Sequence, residues 1–400
     1  MTGSIHQRGD AVPVQPIYLD CHATTPVDSR VLEAMLPFFT EHFGNPASTT
    51  HAYGWAAEAA VKQARGTLAS AIHGTPEEIV FTSGATEANN LAIKGLAEAY
   101  FAKGRHLITA QTEHNAVLDP MAYLQGLGFE VTYLPVQPDG LIDLDALEKA
   151  IRPDTVLVSI MAANNEIGVL QPLAEIGQRC HDRGVFFHTD AAQALGKIPL
   201  DVEAMNIDLM SLTAHKLYGP KGIGALYVRR KNPRVQLAPQ LHGGGHERGM
   251  RSGTLYTPQI VGFAEAVSLA FEEMESEQQR LGELRDRLWQ QLQNIPGIHL
   301  NGHPTQRLAG SLNISVEGVD GQALLLGLRS HVALSSGAAC SSASTAPSHV
   351  LKALGHSDAL AYASLRFGIG RFNSEAEIDT VAQATRDTIT TLRQGATITK

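Results

Sequence analysis

Four places in the 400-residue sequence carry chemistry that their immediate surroundings do not call for. Asp190 closes the apolar run "VFFHTD". Lys216 follows the run "DLMSLT", within "AHKLYGPKG". The stretch "SGATEANNLAIKG" passes from small residues into a helical pattern, and Cys340 stands in "ALSSGAACSSASTAPSHV" among Ser, Ala, Gly, Thr and Pro. A free thiol behaves as a small hydrophobe and normally packs against larger apolar side chains, which this stretch lacks. A helix start made of small residues leaves N–H groups unpaired at the positive end of the helix dipole, an anion site to which Thr86 can add a hydroxyl. A carboxylate at a strand end can hold a positive charge. A lysine in a partly dry site has its amine pKa lowered and becomes useful for Schiff-base chemistry. Taken singly, each has an ordinary counterpart: a capped helix start, a helix-capping aspartate, a surface lysine before a Gly-Pro turn. Taken together, an anion site, a strand-end Asp and a strand-end Lys are what pyridoxal phosphate requires for its phosphate, its ring nitrogen and its aldehyde.

Those residues need elements to hold them. Between residues 76 and 230 short β-branched runs alternate with polar turns and helical stretches: "EIVFTS", "HLITA", "EVTYLP", "TVLVSIM", "VFFHTD", "DLMSLT" and "GALYVRR". Near-continuous apolar strands separated by amphipathic helices predict a mainly parallel sheet covered on both faces, with ligands beyond the carboxyl ends of its strands. From residue 257 the pattern becomes one long helical segment that stops at "IPG". Later strands, "GSLNISV" and "SLRFGIG", interleave with helices as in a smaller α+β unit.

Bulk properties narrow the class. Apolar residues make up 44% and charged residues 18%, and 31 Lys and Arg stand against 40 Asp and Glu for a net charge of −9. This balance argues against general nucleic-acid binding and against an anionic-membrane binder. No apolar run approaches the length of a bilayer span, and the first residues lack a secretory signal pattern, so residues 1–15 read as a loose terminus of a cytoplasmic protein. Three cysteines, far apart and without a C-x-x-C pair, fit neither a disulfide framework nor structural zinc. His242 and His246 have H-x-x-x-H spacing, but the three glycines between them disfavour the helix such a metal pair needs.

The sequence resembles the cysteine desulfurases of the NifS/IscS type, in the class V aminotransferase group of fold-type I PLP enzymes. The matching stretches run in order from "YLDCHATTPVD" to "SLRFGIGRF" and include "FGNPAS", "TEHNAVLD", "NNEIG", "DAAQALGK", "HGGGHERGMRSGT" and "SSGAACSSAS". The resemblance implies an α/β fold with a mainly parallel seven-stranded sheet between helices. It implies a large PLP-binding domain at 16–262 and a small C-terminal domain at 263–400 that includes residues 1–15 and carries the cysteine loop at about 333–348.

It also implies roles. Lys216 is the lysine that holds the cofactor, Asp190 pairs with the ring nitrogen, and Gln193 bonds the ring hydroxyl oxygen. His114 stacks on the ring and assists proton transfer. Ala85, Thr86, Thr213 and His215 hold the phosphate, and Thr254 reaches the phosphate of a neighbouring subunit, so a homodimer is expected. Arg366, with Asn165 and Asn45, receives the carboxylate of L-cysteine, a task suited to a guanidinium fork, and Arg371 ranks below it. Cys340 takes the substrate sulfur as a persulfide for acceptor proteins such as an iron–sulfur scaffold or a carrier for tRNA thiolation, with selenocysteine a side substrate. Ser348 reads as the N-cap where the loop gives way to a helix. Cys21 reads as a packed side chain and Cys180 as structural or merely exposed. The rival readings are another PLP activity, such as an aminotransferase or lyase, and a non-enzymatic sulfur-transfer subunit. The loop cysteine argues against the first, and the joint presence of Lys216, Asp190, His114, Arg366 and Cys340 against the second.

Overall fold

The computed structural model describes residues 15–336 and 346–398, with side chains described as far as residue 395. Each of the seven apolar runs forms a strand: β1 (Ile79–Thr82), β2 (His106–Ala110), β3 (Glu130–Leu134), β4 (Thr155–Ser159), β5 (Phe186–Asp190), β6 (Leu209–Thr213) and β7 (Gly224–Val228). They make one sheet of order β1–β7–β6–β5–β4–β2–β3. All neighbours are parallel except β7, which runs antiparallel to both β1 and β6. Six strands are buried from end to end, which is why they read as unbroken apolar runs. The edge strand β3 is partly exposed, and its Glu130 pairs with Arg152.

Successive side chains leave a strand on opposite faces, so adjacent residues feed different cores. Phe187 and Met210 join the core under helices α1 (Ala52–Ala71) and the first half of α4 (Thr257–Leu292). Phe186 and Leu209 join the core under α2 (Ala85–Ala99) and α3 (Asn115–Gly126). The 36-residue α4 changes core along its length. Ile260, Phe263 and Val267 pack on the large sheet, while Leu284, Leu288 and Leu292 pack on a second sheet together with Leu19.

That second sheet is antiparallel, of order β10–β11–β9–β8, with β8 Ile298–Leu300, β9 Ser311–Val316, β10 Ser335–Ser336 and β11 Ser364–Gly368. β8 and β10 are too short to carry a period-2 pattern in the sequence. The inverted β7 has a local consequence for the large sheet. It joins β6 through a hairpin, closed by Thr213 opposite Gly224 and by Ala214 N–H donating to the Ile223 carbonyl at 3.2 Å. Lys216 stands on that hairpin.

Candidate active site

The carboxyl ends of β5 and β6 open into a cavity of about 480 Å³. At one end lies the start of α2. Its N-cap, Gly84, has φ +150, a conformation open to glycine alone, and no side chain caps the first turn. Gly84 lies hard against β7, where a Cβ on Gly224 would come 2.7 Å from the Gly84 backbone. The N–H groups of this 15-residue helix therefore face the cavity beside Ala85, Thr86, Thr213 and His215, all of which line it.

His215 is fixed through its Nδ1 to the Thr24 hydroxyl at 3.1 Å, and its carbonyl accepts from Thr25. Burial, and then the nearby lysines, push its pKa down to about 4, so it is a neutral donor or acceptor rather than a cation.

Across the cavity stands Asp190, 6% exposed. Its Oδ2 accepts from Asn89 Nδ2 at 2.7 Å and its Oδ1 from the Ala192 N–H at 2.9 Å. Among the described residues it has no ion pair. A buried carboxylate is costly without a cation, so this one awaits a positive charge from within the cavity. Asn89 was not singled out from the sequence, although an asparagine inside a helix has poor propensity and is the available signal.

Gln193 lines the same cavity but is already engaged. Its Nε2 donates to the His22 carbonyl at 2.8 Å, and its Oε1 accepts from Lys197 Nζ at 3.2 Å. His22 Nδ1 lies 3.4 Å from that same Oε1, so the imidazole proton belongs on Nδ1. Its Nε2 is buried without a partner among the described residues, and burial holds the ring neutral.

His114 also lines the cavity, and it is at the same time the N-cap of α3, with Nδ1 accepting from Ala116 N–H at 3.1 Å. The helix-start role and the cavity role are thus combined in one side chain. Burial, and then the Lys216 charge, lower its pKa. The neutral ring that caps the helix carries its proton on Nε2.

Lys216 borders this cavity and also a smaller, more apolar one of about 50 Å³ behind it. Asn165 lines the main cavity, and Arg366 lies directly behind it. The guanidinium, 2% exposed, donates to the Asn165 carbonyl at 3.0 Å and to Asp20 Oδ1 at 2.8 Å. Its Nε is buried with no partner among the described residues. Arg371 is saturated by contrast, pairing with Asp28, Glu273 and Glu277.

Two residues are not brought to the cavity within one chain. Asn45 is exposed and accepts from the Ala47 N–H, and Thr254 is exposed in the stretch before α4. Cys340 lies outside the described residues. The residues that flank its stretch are described. Ser335 pairs opposite Arg366 and donates to Asp20 Oδ2 at 3.0 Å. Ser348 caps the helix His349–Ala353, as its place in the sequence predicts, and donates to the buried Glu166. Cys21 and Cys180 are buried, and burial raises both thiols, Cys21 to about 11. Among the described residues no cluster could hold a metal ion, and His246 is followed by a single short turn rather than a helix.

Pyridoxal phosphate would meet what the cavity leaves unmet. An uncapped helix N-terminus with hydroxyls meets a phosphate, an unpaired buried carboxylate meets a protonated ring nitrogen, and a lysine stands on the wall. The residues present fit the group.

The family model for aminotransferase class-V matches residues 17–381. A cysteine desulfurase IscS of Methylobacillus flagellatus is 57% identical over 380 residues, covering 95% of this chain and 93% of that protein. A cysteine desulfurase of Mus musculus is 56% identical over 380 residues, covering 95% of this chain and 82% of that protein. Among solved structures, a NifS-like protein superposes with a TM-score of 0.87 at 38% identity, over 94% of this chain and all of that one.

Proposed function

Since the chain belongs to the class-V aminotransferase family and, within it, to the cysteine desulfurases, we propose that it takes sulfur from L-cysteine onto Cys340 and passes it to an acceptor protein. The enzyme is PLP-dependent. The observation that carries the reading is Asp190, a buried carboxylate without a cation among the described residues, facing a cavity walled by Lys216.

The helix α2 N-terminus, Thr86, Thr213 and neutral His215 hold the phosphate, and Asp190, oriented by Asn89, keeps the proton on the ring nitrogen. Pyridoxal phosphate, when bound, supplies a sink for the electron pair left at the substrate Cα. Lys216, as a neutral amine, removes the Cα proton. Arg366, reached past Asn165, receives the carboxylate, and its unmet Nε is the donor available for it. Gln193, clamped between His22 and Lys197, has one amide hydrogen left for the ring hydroxyl oxygen. His114, with Nδ1 committed to the helix cap, contributes by donating from Nε2.

The Cys340 thiolate attacks the substrate Sγ. An S–S bond forms and the C–S bond breaks, its electron pair staying with the substrate Cβ, which takes up a proton and leaves as part of L-alanine. The persulfide remains on Cys340. An unperturbed thiol is mostly protonated at neutral pH, so the reaction requires a local donor or charge that favours the thiolate.

On the same reading the chain divides at 262/263, although α4 stays in the core of the large sheet through Ala270 and joins the second core only from Leu281 onward. It works as a homodimer. Phe43, Tyr53 and Trp55 are each more than half exposed, Phe39 stacks edge-on with exposed Tyr256, and Asn45 and Thr254 lie in the same stretches. A second copy covering these aromatics would account for all of them. Among the described residues no helix is long and apolar enough to cross a membrane. A reducing compartment such as the cytoplasm is part of the proposal, because Cys340 must be a free thiol.

The test is to supply pyridoxal phosphate, L-cysteine and a reductant, then measure alanine and sulfide for wild type and Cys340→Ala. Equimolar products from wild type and loss of both in the variant are expected. Undiminished turnover by Cys340→Ala would favour an eliminating lyase instead.

A further inference from the structure

Behind Lys216, on the side away from the cofactor cavity, a second lysine is held in place by the fold. Lys197 and Lys216 line the same cavity of about 50 Å³. The Lys197 backbone is pinned twice: its N–H donates to the Ala194 carbonyl at 2.9 Å, and its carbonyl accepts from Gln278 of α4 at 2.7 Å. Its side-chain amine donates to a neutral amide, Gln193 Oε1, at 3.2 Å, and to no carboxylate among the described residues.

The groups that face it explain why. From α4, Glu277 lines the cavity, but its two oxygens are taken by Arg371 at 3.0 and 3.2 Å. From the segment after Tyr18 come Cys21, a protonated thiol, and His22, a neutral ring. From the hairpin come Lys216 itself and Tyr218, whose hydroxyl accepts from the Arg371 N–H. Nothing in this wall needs a cation, and a buried lysine without a carboxylate is unfavourable on its own account.

We propose that Lys197 is a positioning residue for Lys216: its charge, held in the shared cavity and tied to Gln193, keeps the Lys216 amine unprotonated and therefore able to react. A neighbouring cation that activates a lysine is a known route to a nucleophilic or basic amine at neutral pH. The same hydrogen bond polarises Gln193 and sharpens its remaining N–H as a donor. Lys197 does not touch the substrate. Burial above all lowers its own pKa to about 8, so it carries its charge at neutral pH and loses it in mild alkali.

The inference rests on Lys216 being the cofactor lysine, and the experiment separates the two. The holoprotein is titrated with base while the visible absorbance of the bound cofactor is followed, for wild type, Lys197→Met and Lys197→Arg. Lys197→Met is expected to raise the titration midpoint by about one unit, the order expected for loss of one nearby charge. It should also lower kcat at neutral pH more than it raises KM, with recovery at high pH. Lys197→Arg, which keeps the charge, should stay close to wild type. An unchanged midpoint in Lys197→Met, or an equal shift in both variants, overturns the proposal. Should Lys197→Met fail to fold, Lys197→Gln makes the same comparison. Independently, borohydride should fix the cofactor to the wild-type protein and not to Lys216→Ala. Fixation in that variant would remove the premise rather than test the role of Lys197.

Discussion

Charged groups are treated in opposite ways in two regions of this molecule. In the seam between the N-terminal segment and α4 they cancel: Asp28 is bound by Arg30 and Arg371, and Arg371 also meets Glu273 and Glu277. Around the cofactor cavity they do not. Among the described residues Asp190 has no cation, Lys197 has no carboxylate, and Arg366 has a single carboxylate and an Nε with no partner. The Asp28–Arg371 pair at the centre of the seam is nearly as buried as Asp190 and Arg366, so burial does not distinguish the two regions. The unbalanced region is the one that needs something from outside the chain, and in the balanced one every charge has its answer within the fold.

The largest test of that contrast is Asp190→Ala. Desulfurase activity should fall by about a thousandfold or more, since the ring-nitrogen proton loses its partner in a low-dielectric site. The urea midpoint should hold or rise, because an unpaired buried charge has been removed. A variant that unfolds while its folded fraction keeps full activity would mean that Asp190 belongs with the structural charges.

Asp28→Asn should behave the other way. Breaking the buried pairs should cost about 3 kcal/mol in denaturant unfolding, with little change in activity per folded molecule. The pH dependence follows from the same contacts. Hydrogen bonds from Arg30, and then from Arg371, hold the Asp28 carboxyl well below the usual range. Its stabilising contribution is complete above the ordinary carboxylate pKa and is lost as acid drives the pH down through the depressed value. The variant should therefore show a flatter acid-unfolding profile than wild type.

Asn89→Ala sharpens the contrast with the smallest effect. Losing one hydrogen bond to a charged oxygen should lower activity about tenfold and leave the fold intact, measured as kcat/KM beside thermal unfolding.

Much of this was legible in the chain alone, for a physical reason. Strands buried on both faces must be apolar throughout, so the seven strands and their order of appearance stood out. At the strand ends, Asp190 and Lys216 stood out because, with the helix start at Thr86, they jointly supply what one cofactor needs, although each alone has an ordinary structural task. What did not show is pairing across long separations. Nothing in a linear pattern says that Asn89 meets Asp190, that Asp20 meets Arg366, or that Lys197 shares a cavity with Lys216. His114 was legible as a site residue, but its capping bond, which decides where its proton sits, depends on the exact start of α3. Asn45 and Thr254 are named by resemblance and lie away from the cavity of their own chain; in the proposed homodimer a second copy would give them a task.

The inverted strand β7 has one more effect, on the kinetics of a cycle. Because it turns the segment after β6 into a hairpin hydrogen-bonded at its neck, the backbone of Lys216 is held still whatever its side chain does. On the role proposed for Lys216, its amine would stay tethered through turnover by a few single bonds to a fixed point. Its effective concentration at the cavity remains at about the molar level or above, so its return is intramolecular and needs no search. Resetting for the next substrate is built into the antiparallel turn.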